Sequence, residues 1–160
     1  DLFKEKFTIV ERVIFLKKLP LFKNVESERL KLFAEIASEQ AFQPGDLIVR
    51  ENDIGEFLYI VKSGSVNIVK NYGKNETALS QMHAMSYFGE MGLIDNEPRS
   101  ASCVANNNCV LLIIGKEDFL DVLYRSPEIS LELFKLFTQR IREGNETIKK
   151  LNQEQDKKKI

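Results

Sequence analysis

The sequence predicts a mainly β domain, a sandwich or a barrel, with helices before and after it. The central region holds short apolar runs separated by turn residues roughly every ten positions, as in all-β domains. Amphipathic helical patterns precede and follow that region. A length of 160 residues, with 43% hydrophobic and 29% charged residues, is typical of one globular domain. We assign the domain to residues 1–152 and a polar tail to 153–160.

Residues 1–40 are predicted to be helical. The spacing of Ile9, Val13, Ile14 and Leu16 fits one helix, which Pro20 ends. A second amphipathic helix is predicted to begin near Glu26, where acidic residues favour the helix N-terminus.

The β region is predicted over residues 41–115. Turn signals at 43–46, 52–55, 63–64 and 71–75 separate the apolar runs. The predicted strands lie at 47–49, 57–61, 66–68, 103–104 and 110–114.

Helix is predicted again over residues 116–152. Ser126 and Pro127 indicate a cap followed by proline at the first helical position. A long apolar stripe then runs from Ile129 to Leu151, interrupted by Gly144, where we expect a bend or a fraying point. The lysine-rich tail is expected to be poorly ordered.

The composition argues against several function classes. A net charge of −1 provides no basic field to attract nucleic acid or an acidic membrane. The longest apolar run, 110–114, is too short to span a bilayer, and no secretory signal is visible. Because the chain begins at Asp1, we expect a processed chain or a piece of a longer protein.

Two cysteines and one histidine are too few for a structural zinc site built from these residue types alone, so we predict no metal. Cys103 and Cys109 flank residues 105–108, which resemble a hairpin turn, so the two thiols could face each other across two strands. We expect reduced, half-buried thiols in a cytoplasmic protein. His83 is interpreted as a residue of the sheet surface, and no catalytic constellation is visible.

The stretch from Tyr87 to Ser102 places a lone acid and a lone base nine positions apart around a short helix-compatible segment. Gly89 lets the backbone approach a ligand, and a helix start favours an anion. Arg99 offers a planar fork that matches phosphate oxygens, and Glu90 accepts from a donor such as a ribose hydroxyl. These residues are predicted to hold the two ends of one small ligand. The alternative is a surface salt bridge between Glu90 and Arg99.

This stretch resembles the phosphate-binding cassette of the cyclic nucleotide-binding domain family. The resemblance rests on the opening Phe88-Gly89-Glu90, the step to Arg99, and the close Pro98-Arg99-Ser100-Ala101. Residues 44–46, 57–60 and 64–66 and the final helix also fit, so the likeness covers nearly the whole chain.

The resemblance implies an eight-stranded β-roll, also described as a double-stranded β-helix or jelly roll. N-terminal helices would precede it, two C-terminal helices (B and C) would follow it, and the cassette would occupy residues 88–101. It further implies that Glu90 binds the ribose 2′-hydroxyl and Arg99 the cyclic phosphate. Backbone groups would line the phosphate and ribose, Ser100 would contact the phosphate, and two apolar residues would pack on the base or belong to the β core. These further residues are Gly89, Met91, Gly92 and Ala101 for the backbone, and Ile68 and Met82 for the base.

Two departures from the family pattern stand out. Asn52 replaces a glycine that is frequent in its turn, and asparagine tolerates left-handed geometry. Met85-Ser86 replaces a frequent Gly-Asp before the cassette, which alters the loop but removes no ligand contact.

The predicted function is a cyclic nucleotide sensor without catalysis or cofactor, which transmits binding to an effector domain in missing sequence. Cyclic AMP is favoured over cyclic GMP, because family members that bond guanine have threonine where this chain has Ser100. Binding would shift a population between two arrangements of the cassette and the final helix, with the segment after Gly144 moving as a lid.

We expect a monomer or a weak dimer, no nucleic acid binding by this chain itself, and no membrane segment. One alternative is a ligand-free family member that serves as a structural or protein-interaction module. An unrelated sugar-binding or cupin-like metal enzyme is disfavoured because one histidine cannot build the usual metal site.

Overall fold

The computed structural model describes residues 6–158, which form five helices and eight strands. In chain order these are α1 (Ile9–Lys17), α2 (Ser27–Ile36), β1 (Ser38–Phe42), β2 (Leu47–Val49), β3 (Phe57–Ser63), β4 (Ser65–Lys70), β5 (Thr77–His83), β6 (Tyr87–Phe88), α3 (Glu90–Asp95), β7 (Ser102–Ala105), β8 (Cys109–Gly115), α4 (Lys116–Arg125) and α5 (Pro127–Lys158).

The strands form two four-stranded antiparallel sheets, with the orders β1-β8-β3-β6 and β2-β7-β4-β5. The chain passes repeatedly from one sheet to the other, as in a roll, so most neighbours in a sheet are distant in sequence. The predicted eight-stranded β-roll with flanking helices is confirmed.

Strands β3 and β8 separate two apolar cores. Leu58 and Ile60 of β3 pack on the side of the helices, together with Phe33 and Phe119. The alternate residues Tyr59 and Val61 face the interior of the roll. Because side chains alternate across a strand, a strand that is buried on both faces must be apolar throughout. This two-sided burial explains the unbroken runs at 57–61 and 110–114.

The N-terminal helices occur where the spacing predicts them, but they end earlier. Helix α1 begins with a capping box between Thr8 and Glu11, and Glu26 is the N-cap of α2. Of the apolar residues in α1, Leu16 is buried and Ile14 is 54% exposed.

Strand β1 occupies 38–42, so the boundary predicted at residue 40 is wrong. The sequence of β1 lacks apolar alternation because it lies at the edge of its sheet.

Two further strands lie within the predicted β region but outside the individual strand ranges that the sequence predicts. Nearly every residue of β5 is exposed, and β5 is the last strand of its sheet, so its sequence carries no apolar pattern. Strand β6 has two residues, too few for any periodicity. His83 ends β5 and is exposed, as expected.

The hairpin predicted between the cysteines is wrong. Strand β7 belongs to one sheet and β8 to the other, so residues 106–108 cross between sheets. Cys103 pairs with Ile68, and Cys109 pairs with Phe42. Both thiols are free and buried rather than half-buried. Burial raises the pKa of Cys103 to about 12, so this thiol stays protonated at neutral pH.

Helix α5 begins at Pro127, as predicted, and continues without a break through Gly144 to Lys158. The expected fraying at Gly144 is therefore absent. The expectation of a poorly ordered tail is wrong for 153–158, which continue α5, and residues 159–160 lie outside the described part. A glycine in an exposed helix costs only about 1 kcal/mol, which a long helix tolerates. Ile129 and Leu133 anchor α5 in the core, whereas residues 138–158 are exposed.

Within residues 6–158 no helix is both long enough and apolar enough to cross a membrane.

A buried charge cluster fastens the N-terminal segment to the roll. The carboxylate of Glu39, 3% exposed, accepts from Lys62 Nζ at 2.8 Å and lies 3.5 Å from Arg12 Nε. It also accepts from the backbone N–H of Phe7 at 2.8 Å. Arg12 in turn donates to the carbonyl oxygen of Ala34. One carboxylate thus joins α1, β1 and β3.

Replacing this carboxylate should destabilise the protein strongly. We expect Glu39→Gln to lower the free energy of unfolding by about 3 kcal/mol, because it leaves two buried cations without their counter-charge. The measurement is urea unfolding followed by circular dichroism. Glu35→Gln is the control, since the Lys31–Glu35 pair is exposed and should contribute less than about 0.5 kcal/mol. Equal midpoints for the two variants would contradict a stabilising role for the cluster.

Candidate functional site

A cavity of about 300 Å³ opens between the cassette and the sheet that contains β4 and β7, and we call it the cassette cavity. It brings together eight of the nine predicted site residues: Ile68, Gly89, Glu90, Met91, Gly92, Arg99, Ser100 and Ala101. Val49, Phe88 and Cys103 add apolar wall. Met82 is not part of the lining. It belongs to β5, where it pairs with Val66 of β4, and its side chain packs against the interior of the roll.

The short helix predicted inside the cassette is present as α3. Gly89 is its N-cap and has a φ of +94°, a backbone conformation that residues with a Cβ rarely adopt. A Cβ at this position would lie 2.8 Å from the carbonyl oxygen of Phe57 and 3.0 Å from Arg99 Nη1. Glycine is therefore required both for the turn and for the close passage of β3 and Arg99.

Arg99 lies in a slot that the sequence does not predict. Its Nη2 donates to the carbonyl oxygen of Phe57 at 3.2 Å, and its guanidinium lies 5.7 Å from the ring centroid of Tyr59. Gly55 forms another wall, where a Cβ would stand 3.2 Å from Nη2. The sequence marks Gly55 only as a turn residue and Tyr59 only as a strand residue, so neither could be assigned to the surroundings of Arg99.

The loop before β3 is attached to the end of the cassette by backbone pairing. Asn52 N–H donates to the carbonyl oxygen of Arg99 at 2.8 Å, and Arg99 N–H donates to that of Asp53 at 2.9 Å. Asn52 has a φ of +72°, the left-handed geometry that the sequence leads us to expect there. The loop before β3 therefore positions Arg99 in two ways. Asn52 and Asp53 hold its backbone, and Gly55 lies against its side chain.

Tyr59 is itself fixed by stacking. Its ring lies parallel to that of Phe88, with centroids 5.0 Å apart and an angle of 12° between the planes. Burial raises the pKa of Tyr59, and the nearby charge of Arg99 offsets part of this rise. The ring thus gives Arg99 a rigid, neutral support.

Glu90 is buried, and its partner is Arg140 of α5 rather than Arg99. The distance from Glu90 Oε1 to Arg140 Nη1 is 2.5 Å. The surface pair between Glu90 and Arg99 is not observed among the described residues. Burial lowers the pKa of Arg140, but the hydrogen bond and charge of Glu90, together with smaller contributions from Tyr87 and Glu143, raise it above its ordinary value. The sequence does not single out Arg140, because it lies fifty positions from Glu90.

A second depression, of about 290 Å³, lies between α3 and α5, and we call it the α3–α5 groove. Met91 and Ile94 line one side, and Phe137, Arg140 and Ile141 line the other. No residue of α5 lines the cassette cavity. In this conformation α5 meets the cassette before Gly144. Motion of the segment after Gly144 therefore stays a prediction.

Residues 6–158 contain no group of three or more histidine, cysteine or acidic side chains placed to hold a metal ion. The polar groups of the cassette cavity are one carboxylate, one guanidinium and backbone amides, together with Ser100 and two exposed acids, Asp95 and Glu97. This set can bind an anion and a hydroxyl donor in one ligand.

The close passage at Gly89 can be tested by adding one methyl group. We expect Gly89→Ala to lower the free energy of unfolding by about 2 kcal/mol or more, because it adds a backbone clash to the cost of a positive φ. Gly73→Ala is a matched control: its φ is +79° and a Cβ there would meet nothing within 4 Å, so about 1 kcal/mol is expected. Urea unfolding of both variants gives the comparison. A Gly89→Ala variant no less stable than Gly73→Ala would contradict the clash.

Comparisons with known proteins agree with this geometry. Residues 39–126 match the family model described as the cyclic nucleotide-binding domain. A cyclic AMP receptor protein of Thermus thermophilus is 33% identical over 131 residues, which are 81% of this chain and 61% of the relative. A cGMP-dependent protein kinase of Plasmodium berghei is 30% identical over 138 residues, 79% of this chain and 16% of the kinase.

Among solved structures, the catabolite activator protein of Thermus thermophilus aligns with a TM-score of 0.74 at 32% identity. The alignment covers 83% of this chain and 63% of that one. The chain spans less than two thirds of each of these three proteins. Because the family model spans more than half of the chain and the fold agrees with it, the chain belongs to the cyclic nucleotide-binding domain family, a family of regulatory domains.

Proposed function

We propose that this chain senses cyclic AMP through the cassette cavity and transmits its binding through α5 to a partner domain. One observation carries the proposal: Glu90 and Arg99 line a single cavity, yet each is held by other partners and not by the other. A carboxylate repels a phosphate, so the two charges suit different ends of one ligand. A cyclic nucleotide has both ends, a ribose hydroxyl and a cyclic phosphate.

In this proposal Arg99 binds the cyclic phosphate through its fork. Backbone groups of Gly89, Met91, Gly92 and Ala101 line the phosphate and ribose. Ser100 adds its amide or hydroxyl to the phosphate. Glu90 accepts a hydrogen bond from the ribose 2′-hydroxyl.

The base would lie against the apolar wall of the cavity. Ile68 contributes to this wall, next to Cys103 on the paired strand β7. Met82 lies one strand farther from β7 and would contact the base only if the base extends toward β5. Ile68 is therefore the stronger candidate of the two.

Cyclic AMP is favoured over cyclic GMP because of Ser100. Serine lacks the methyl group that restricts the rotamer of threonine, so it holds a guanine amino group less firmly. Relatives named for cyclic AMP and for cyclic GMP are both similar to this chain, so the preference rests on Ser100.

Transmission would follow from a population shift in which the ligand binds one arrangement of the cassette and α5 more tightly than the other. Leu93 is buried in the core shared with the helices, and Ile94 lines the α3–α5 groove, so both link cassette to helix. The output domain would lie in sequence beyond this chain. We propose a monomer or a weak dimer, and the two free thiols suit a cytoplasmic location.

A ligand-free structural or interaction module is the second candidate. Arg140 already supplies a counter-charge to the buried Glu90 from within the chain. The fold therefore does not require a nucleotide in order to satisfy this carboxylate.

Calorimetric titration with cyclic AMP and cyclic GMP tests the proposal. We expect binding of both, tighter for cyclic AMP, and at least a tenfold loss of affinity in Arg99→Ala, because a charged hydrogen bond contributes about 1.5–3 kcal/mol. Arg99→Lys should recover little, since a point charge lacks the fork. No binding by the wild type would favour the ligand-free module. Binding of cyclic GMP tenfold more tightly than cyclic AMP would reverse the proposed preference. An Arg99→Ala variant that folds and keeps the wild-type affinity would refute the phosphate contact.

The role of Glu90 predicts a specific coupling. The wild type should bind 2′-deoxy cyclic AMP at least tenfold more weakly than cyclic AMP, whereas Glu90→Ala should bind the two alike. Glu117→Gln, which removes an exposed charge from α4, is the control and should keep the wild-type ratio. Equal ratios in the wild type and Glu90→Ala would argue against this pairing.

A further inference from the structure

The turn after α3 leads the chain from the short helix to Arg99. Asn96 is the C-cap of α3 and has a φ of +59°, a left-handed geometry that ends the helix. Residues 94–98 are all exposed, so packing against the core does little to fix this turn. Because only two residues separate Asn96 from Arg99, the geometry of the turn decides where Arg99 begins.

Lys116, the first residue of α4, contacts this turn from a distant part of the sequence. Its Nζ donates to Oδ1 of Asn96, twenty positions away. Its backbone N–H donates to the carbonyl oxygen of Glu56 at 2.9 Å. The antiparallel pair between Gly115 and Phe57 brings the start of α4 to this place. Lys116 is thus bonded at its backbone to one loop and at its side chain to another.

Glu56 belongs to the loop that holds Arg99. Residues 52–55 of this loop contact the backbone and the guanidinium of Arg99. Glu56 follows directly and precedes Phe57, whose carbonyl oxygen accepts from Arg99 Nη2. Lys116 therefore joins the loop that holds Arg99 to the turn that leads into Arg99.

We propose that Lys116 is a positioning residue for Arg99. It fixes the turn at Asn96 against the loop before β3, and so holds the guanidinium where it can bind the cyclic phosphate. Lys116 is not among the residues that line the cassette cavity, so it acts through Asn96 and Arg99. A displaced guanidinium loses affinity, because hydrogen bonds to phosphate weaken steeply with distance and angle. The inference rests on the proposed function and adds a residue of α4 to the support of the phosphate site.

Two simpler roles for Lys116 predict different results. If its charge attracts the phosphate from a distance, removing Oδ1 of Asn96 should leave the affinity unchanged. If Lys116 only stabilises the fold, removing it should lower the free energy of unfolding without moving Arg99. Positioning predicts that Lys116 and Asn96 act as one unit, so that losing either has the same effect as losing both.

The first experiment measures the affinity for cyclic AMP by calorimetry in Lys116→Met, Asn96→Gly and the double variant. Glycine keeps the left-handed backbone and removes only the side-chain acceptor. We expect each single variant to bind about threefold to tenfold more weakly, the effect of one hydrogen bond, and the double variant to lose no more than that. The ratio of affinities for cyclic AMP and its 2′-deoxy analogue should stay as in the wild type, because the ribose contact belongs to Glu90. Lys74→Met, which replaces an exposed lysine of the loop after β4, is the control and should bind as the wild type.

The second experiment needs no nucleotide. It follows the side-chain Nε–H resonance of Arg99 by NMR, assigned by its loss in Arg99→Lys. We expect this resonance to shift in Lys116→Met and Asn96→Gly, and to stay in place in Lys74→Met. An unchanged resonance in a folded Lys116→Met, or affinity losses that add in the double variant, overturns the positioning role while the proposed function stands. A wild type that binds neither cyclic nucleotide overturns the proposed function and the phosphate role with it, whereas a shifted resonance would still show that Lys116 positions Arg99.

Discussion

The two-sided burial of β3 and β8 is the constraint on which the rest of the structure depends. One face of this pair supports the helices and the other closes the roll. The same strand β3 supplies the carbonyl oxygen of Phe57 and the ring of Tyr59, the two groups that hold Arg99. The strand that divides the cores therefore also supports the side chain proposed to bind phosphate. A change that shifts β3 to repack either core would also move that side chain.

The cassette cavity keeps two opposite charges apart. Glu90 and Arg99 do not neutralise each other, because each has a partner on a different element: α5 for Glu90 and β3 for Arg99. Charges fixed by separate supports cannot collapse onto each other, and this leaves both directed at a ligand. The glycines serve the same end, since Gly55 and Gly89 leave the space that the guanidinium occupies. Preorganisation of this kind reduces the entropy that binding must overcome.

The strands that the sequence predicted are those with buried faces, such as 57–61 and 110–114. A run of apolar residues indicates a buried strand regardless of which element packs against it. The missed elements, β1, β5 and β6, lie at the edges of the sheets, where exposure or brevity removes the apolar pattern. The hairpin proposed between Cys103 and Cys109 failed for a related reason: a short polar segment looks the same whether it turns back within one sheet or crosses to another. Gly144 was overestimated as a breaker, because its neighbours in α5 favour helix.

The sequence by itself determined the family resemblance, the β-roll, and a cassette in which Gly89, Glu90 and Arg99 stand at fixed spacing. These features are local: a turn, a one-turn helix and a charge on either side are encoded within sixteen residues, from Tyr87 to Ser102. The tertiary structure alone decided what surrounds each charge. Gly55 and Tyr59 meet Arg99 from forty or more positions away, and Arg140 reaches Glu90 across fifty. Such pairings depend on how the sheets and α5 pack, and no short-range pattern in the chain records that packing.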